Sequence, residues 1–238
     1  MLADKHFIVE EERDESLFYK AAIANYRNSN NRLDLTIAPT MDCNYSCPYC
    51  FEKKEETYMS SEVIDSIVKY IAAQKEATDL HVTWFGGEPL LAIDQIREFY
   101  CKVNAVWTKG YTSNIITNGF LITPKVLEIL KEVEVKSIQI TLDGLKENHN
   151  KMKYTTTCAD TFSKTIENID LILATTSEIH VTIRVNLDKN NANDFVSLYH
   201  FIADRYKGVQ NIGIAPAFIL DRSGEDPASC KNIFFSRK

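Results

Sequence analysis

Cys43, Cys47 and Cys50 fall within one short stretch, residues 39–52, PTMDCNYSCPYCFE, at spacings of four and three. Thiolates are soft ligands that suit zinc or an iron–sulfur cluster. Zinc held structurally takes four ligands, commonly as two separated pairs. The loop offers three, the next cysteine is Cys101, and no histidine lies in the loop; the nearest in sequence are His6 and His81. A [4Fe–4S] cluster held by three cysteines keeps one iron without a protein ligand, open to a small molecule. The missing fourth ligand is then something the chemistry requires. A noncatalytic zinc or structural-cluster module is the alternative reading of the same loop.

Other residues suggest chemistry by position. Only eight glycines occur in the chain, and two of them are adjacent in Gly86-Gly87-Glu88-Pro89. The pair reads either as a tight turn or as a place where backbone must approach a ligand closely. Asn118-Gly119 and Asp143-Gly144 are standard turn pairs that could equally present a polar side chain. Arg184 and Asn186 are polar where a barrel strand would otherwise be apolar, either to bind or to brace the barrel with an ion pair.

These residues need elements to position them. Alternating or apolar runs predict strands over 32–39, 79–85, 113–119, 137–144, 178–186 and 209–218. Helical stripes lie between them: Val63, Ile64, Ile67 and Ile71 behind a Ser60 or Ser61 cap; Ile96, Phe99, Tyr100 and Val103; a helix capped by Thr123 with Pro124 at its first position; Phe162, Ile166, Ile169 and Leu173; and Phe195, Leu198, Tyr199 and Ile202. Residues 145–160 read as a polar loop. Before the repeat, HFIVEE reads as a short strand and ESLFYKAAIANY as a helix. Strand and helix in alternation imply an α/β fold with a parallel sheet. An open doubly wound sheet and a barrel, complete or partial, both satisfy the pattern. Either gathers its chemistry at the C-terminal ends of the strands, where the cysteine loop, GGEP, TNG and LDG all fall.

Composition narrows the setting. Net charge is −6, from 27 Lys and Arg against 33 Asp and Glu, which argues against nonspecific nucleic-acid binding. No apolar run approaches the ~20 residues of a membrane span, and the charged start MLADKHFIVEEERDE lacks the apolar stretch of a secretory signal. The expectation is a cytoplasmic protein with reduced thiols, with Cys101, Cys158 and Cys230 buried or incidental.

The spacing C-x3-C-x2-C, with an aromatic residue, Tyr49, before the last cysteine, resembles the radical S-adenosylmethionine (radical SAM) enzymes. GGEP after the second strand, Asn118-Gly119 after the third, and Thr141 with Asp143-Gly144 after the fourth follow that family's order. The resemblance implies a partial (β/α)6 TIM-like barrel, the radical SAM core, in residues 32–218, with an N-terminal extension in 1–31 and a tail in 219–238. It implies a [4Fe–4S] cluster on Cys43, Cys47 and Cys50, and S-adenosyl-L-methionine bound at the open iron. Tyr49 and the backbone at Phe51 would lie near the adenine. Gly86, Gly87, Glu88 and Pro89 would take the α-amino group, with Glu88 balancing its charge. Asn118, Thr141, Asp143 and Arg184 would meet the ribose or carboxylate.

One segment departs from the pattern. The most similar branch carries an Asp and then an Arg after its histidine, whereas this chain reads His149-Asn150-Lys151-Met152-Lys153. Lys153 would meet the carboxylate as a point charge, without arginine's bidentate fork. FIVEEERDE, ITLDG, NHN and TFSKTIENID resemble the branch that modifies peptides and proteins, which includes anaerobic sulfatase-maturating enzymes. The implied partners are a peptide or protein substrate and an electron donor such as flavodoxin or ferredoxin, with no nucleic acid and no membrane. A radical activase or small-molecule enzyme on the same core is the alternative. Most members of the branch continue into a SPASM domain with auxiliary clusters; only Cys230 lies beyond the sixth strand, so the tail is expected to stop before that region.

Overall fold

In the computed structural model, residues 15–27, 31–188 and 191–219 are described. The expected strand at HFIVEE, Cys230 and nearly all of the tail lie outside them. The expected N-terminal helix is α1 (Glu15–Arg27). The repeat then runs β1 (Arg32–Ile37), α2 (Ser61–Ala73), β2 (Asp79–Trp84), α3 (Ile93–Val106), β3 (Gly110–Thr117), α4 (Pro124–Glu132), β4 (Val135–Leu142), α5 (Lys146–Met152), α6 (Thr161–Thr175), β5 (His180–Leu187), α7 (Phe195–Arg205) and β6 (Ile212–Phe218).

Local chemistry explains the helix starts. Ser60 accepts from the Val63 amide at 3.4 Å, Thr123 from Val126 at 3.2 Å ahead of Pro124, and Asp160 from Ser163 at 3.1 Å. Each satisfies a donor that the first turn would otherwise leave unpaired. On α2 the buried face is Ile64, Val68 and Ile71, while Val63 is exposed; one residue along a helix is about 100° of rotation, enough to carry Val63 off the stripe. Helix α5 replaces the expected polar loop. It is short and charged, with a Lys151–Glu147 pair at 2.8 Å, so no apolar stripe announces it.

All six strands are parallel and lie in sequence order, β1-β2-β3-β4-β5-β6. A doubly wound sheet reverses its order at a switch point; this sheet does not. Among the described strands, β1 and β6 each pair on one side only. The architecture is therefore a partial (β/α)6 barrel.

The two faces of the sheet differ in kind. Val82 and Trp84, Ile115, Ile138 and Ile140, and Val181, Ile183 and Val185 are fully buried and share one core with Ile64, Phe99, Leu127, Ile169 and Leu198 of the helices. Trp84 meets Phe99 edge-on at 5.1 Å between ring centroids. Each such side chain contributes about 1.5–3 kcal/mol through burial. The alternate residues are mostly polar and partly exposed, including Thr83, Asn114, Gln139, Arg184 and Asn186. They join along and across strands: His81 Nδ1 with Thr112 Oγ1 at 2.9 Å, Thr83 Oγ1 donating to Asn114 at 2.8 Å, and Arg184 Nε donating to Asn186 at 3.0 Å. Arg184 and Asn186 thus belong to a mostly polar face, which Ile116, Ala215 and Ala217 share. The expected bracing ion pair is an Arg–amide bond.

Candidate active site

The cysteine loop leaves the C-terminal end of β1 and is first tied back on itself. Thr40 donates its hydroxyl to the Thr57 carbonyl at 2.7 Å and accepts from the Asp42 amide at 3.0 Å. Asp42 in turn accepts from the Cys43 amide at 2.8 Å and from the Tyr58 hydroxyl at 3.1 Å.

The glycine pair then fastens the loop to the end of β2. Gly87 N donates to the Thr40 carbonyl at 3.1 Å, and Glu88 N to the Asp42 carbonyl at 2.7 Å. Gly86 has φ of +111°, and a Cβ there would sit 2.6 Å from the Thr40 carbonyl oxygen; one on Gly87 would run into the Asp42 carbonyl. The close approach read from the sequence exists, but the backbone that approaches is the cysteine loop's own.

Glu88 has protein partners of its own. It is fully buried, and its carboxylate accepts from Thr117 Oγ1 at 2.6 Å, Asn118 N at 2.8 Å and Leu90 N at 3.0 Å. Burial pushes its pKa up while these donors pull it back. The carboxylate is committed to joining the ends of β2 and β3 and to capping the short turn that Pro89 opens. Asn118 extends the tie: Nδ2 donates to Asn44 Oδ1 at 2.7 Å and lies 4.0 Å from Cys43 Sγ, which also accepts from the Tyr45 amide at 3.4 Å.

Cys43 and Cys47 are half-buried and Cys50 is exposed. Burial pushes the Cys43 thiol up to about 11 and raises Cys47 as well, so the apo loop favours thiols and needs positive charge to yield thiolates. Among the described residues no trio of His, Cys, Asp or Glu closes around a single metal ion. Phe51, 65% exposed, lies roughly parallel to Phe85 at 6.5 Å, an apolar surface beside the thiols.

Across the sheet, the end of β4 meets the same loop. The Tyr49 hydroxyl donates to Asp143 Oδ2 and accepts from Asn186 Nδ2 at 3.4 Å. Lys153 Nζ lies 5.8 Å from the Tyr49 ring centroid. Asp143 and Lys153 are both buried, as is Thr141. Burial disfavours the Lys153 charge, yet Tyr49, Asp143 and Cys47 around it hold its pKa well above the usual value. Lys153 is the resident positive charge of this group.

Two residues here carried no site signal in the sequence. His149 is buried, with Nδ1 accepting from the Asp143 amide at 3.3 Å. Asn191 donates to the Asp143 carbonyl at 2.9 Å and the Asn186 carbonyl at 2.8 Å, joining the ends of β4 and β5. The structure therefore gathers Tyr49, Asp143 and Lys153 against the cysteine loop. Gly86, Gly87, Glu88 and Asn118 serve as its ties, and Arg184 stands on the polar sheet face.

Residues 37–202 match the radical SAM superfamily. The chain belongs to that superfamily. Among radical SAM proteins, the cyclopropyl synthase TigE of Paramaledivibacter caminithermalis is 30% identical over 216 residues, covering 77% of this chain and 42% of the relative. A cysteine-type anaerobic sulfatase-maturating enzyme of Clostridium novyi is 30% identical over 183 residues, covering 71% and 47%. The solved structure of native anSMEcpe with bound AdoMet and Cp18Cys peptide superposes with a TM-score of 0.68 at 26% identity, covering 82% of this chain and 53% of that one. This radical SAM chain spans about half the length of the curated relatives it matches. The superfamily works with a [4Fe–4S] cluster and S-adenosylmethionine. Among the described residues no helix is long and apolar enough to cross a membrane.

Proposed function

We propose that this chain carries the cluster- and cofactor-binding core of a radical SAM enzyme that modifies a peptide or protein. The observation that carries the reading is a loop with three thiols and no fourth at the C-terminal edge of the parallel sheet, in a chain of this superfamily. Cys43, Cys47 and Cys50 would hold three irons of a [4Fe–4S] cluster; their thiols have the soft donor chemistry the cluster needs, and the raised pKa values of Cys43 and Cys47 call for the positive charge it would supply. When bound, the cluster and S-adenosylmethionine supply a 5′-deoxyadenosyl radical that abstracts hydrogen from the substrate.

The chain's own residues do the rest. The apolar surface of Phe51 and Phe85 is suited to an adenine, and Lys153 provides positive charge for a carboxylate at the end of β4. The polar sheet face, with Asn114, Gln139, Arg184 and Asn186, offers donors and acceptors to a polypeptide backbone. The peptide or protein substrate is supported by the sulfatase-maturating relative and by the peptide-bound neighbour. An external reductant of the flavodoxin or ferredoxin kind would deliver the electron.

The test is anaerobic reconstitution with iron and sulfide, then incubation with reductant and S-adenosylmethionine. Methionine and 5′-deoxyadenosine are expected from the wild-type chain and from none of its Cys47→Ala preparations. Protein that stays free of iron and acid-labile sulfide, or seats zinc, overturns the reading. Deuterium passing into 5′-deoxyadenosine from side-chain-deuterated peptides, and not from deuterated small metabolites, establishes the substrate class.

A further inference from the structure

The two halves of the cysteine loop are anchored unequally. The first half is fastened many times over. Thr40 and Asp42 are bonded to Gly87 and Glu88, Asn44 accepts from Asn118, and Tyr45, almost fully buried, packs edge-on against Phe120 at 5.7 Å. Cys43 sits inside this framework. The second half, residues 46–51, consists of exposed and half-buried positions. It closes a tight turn from the Cys50 amide to the Cys47 carbonyl at 3.2 Å, and Ser46 N donates to the Tyr154 carbonyl at 3.0 Å. From this half Tyr49, between the second and third cysteines, reaches the ends of β4 and β5.

We propose that the Tyr49 hydroxyl is the latch of the cysteine loop, with Asp143 as its receiver, so that Cys47 and Cys50 are held in place before any cluster arrives. Tyr49 is then a positioning residue. Its hydroxyl lies between Asp143 Oδ2 and Asn186 Nδ2, and Lys153 stands over its ring. The receiver is itself fixed: the Asp143 amide donates to His149, and its carbonyl accepts from Asn191. The latch therefore joins the more exposed half of the loop to a braced corner where β4 and β5 end. The sequence pattern marks an aromatic residue at this position, and the structure assigns a role to its oxygen. The consequence for cluster assembly rests on the function proposed above, whereas the latch itself does not.

The experiment separates the two. Metal-free chain is treated with a thiol-alkylating reagent, and modification of Cys43 and Cys47 is followed by peptide mass spectrometry in the wild type, Tyr49→Phe, Asp143→Asn and Asp143→Leu. Tyr49→Phe removes one oxygen and keeps the ring. The worth of one hydrogen bond sets the expected scale, about fivefold faster modification of Cys47 with Cys43 unchanged. Asp143→Leu should reproduce that pattern, and Asp143→Asn, which keeps an acceptor, should stay near wild type. Equal rates at Cys47 in wild type and Tyr49→Phe overturn the proposal. So does a parallel rise at Cys43 and Cys47, which would report general loosening. In reconstitution, Tyr49→Phe should lose iron to a chelator faster than wild type. If neither takes up iron, the proposed function fails while the alkylation result still judges the latch.

Discussion

At the scale of single residues, the glycine pair shows what a sequence can and cannot say. Two adjacent glycines correctly mark a close approach, because only a missing Cβ permits one. They cannot name what approaches, and here it is the backbone of residues 40–42. Glu88 is similar: its charge suggests a ligand's partner, while its three protein donors are invisible without the fold. This leads to a prediction. Glu88→Gln must turn an NH2 toward either the Asn118 amide or the Leu90 amide and Thr117, leaving a buried donor facing a donor. It should cost about 1–3 kcal/mol, read as a lower urea midpoint at unchanged slope. A variant as stable as wild type would show that the carboxylate is not the tie described here. The spacing of the three cysteines, by contrast, is a local property of the chain, and the structure keeps all three on one loop after β1.

At the scale of elements, periodicity did well where burial is one-sided. The six strands and the helices between them follow the alternation of apolar residues, with ends displaced by a few positions. β4 stops at Leu142, which leaves Asp143 and Gly144 to turn toward the cysteine loop. Helix α5 escaped because nothing apolar marks it. On α2 the stripe was drawn one residue too wide, and the difference can be measured. Ile64→Ala empties a fully buried site and should cost about 2–5 kcal/mol. Val63→Ala changes an exposed position and should stay within about 0.5 kcal/mol of wild type. Comparable losses at both would mean that α2 is rotated from the orientation described.

At the scale of the whole molecule, the choice between barrel and doubly wound sheet could not be read from the sequence. Each segment states its own period, but strand order depends on contacts between segments far apart in the chain. The buried polar corner behind β4 and β5 likewise emerges only on folding, and it gives the molecule a pH response. Burial, with Lys153 nearby, lowers the His149 pKa from 6.5 to about 3, while Asp160 acts the other way. Between those values the unfolded chain binds a proton that the folded chain refuses, so stability falls as pH drops below about 6.5. The slope attributable to this residue is at most about 1.4 kcal/mol per pH unit. Urea midpoints at pH 7 and pH 5 should draw apart in wild type and do so less in His149→Gln; identical separations would remove His149 as the cause.

The unpaired edges of β1 and β6 among the described strands have a consequence of their own. A ring of strands can be threaded only by a free end. The described strands leave a flank between β1 and β6. Under the function proposed above, a long polypeptide would lie along Asn114, Gln139 and Arg184 with both termini outside, and a residue in its interior would come beside the thiols without unthreading anything.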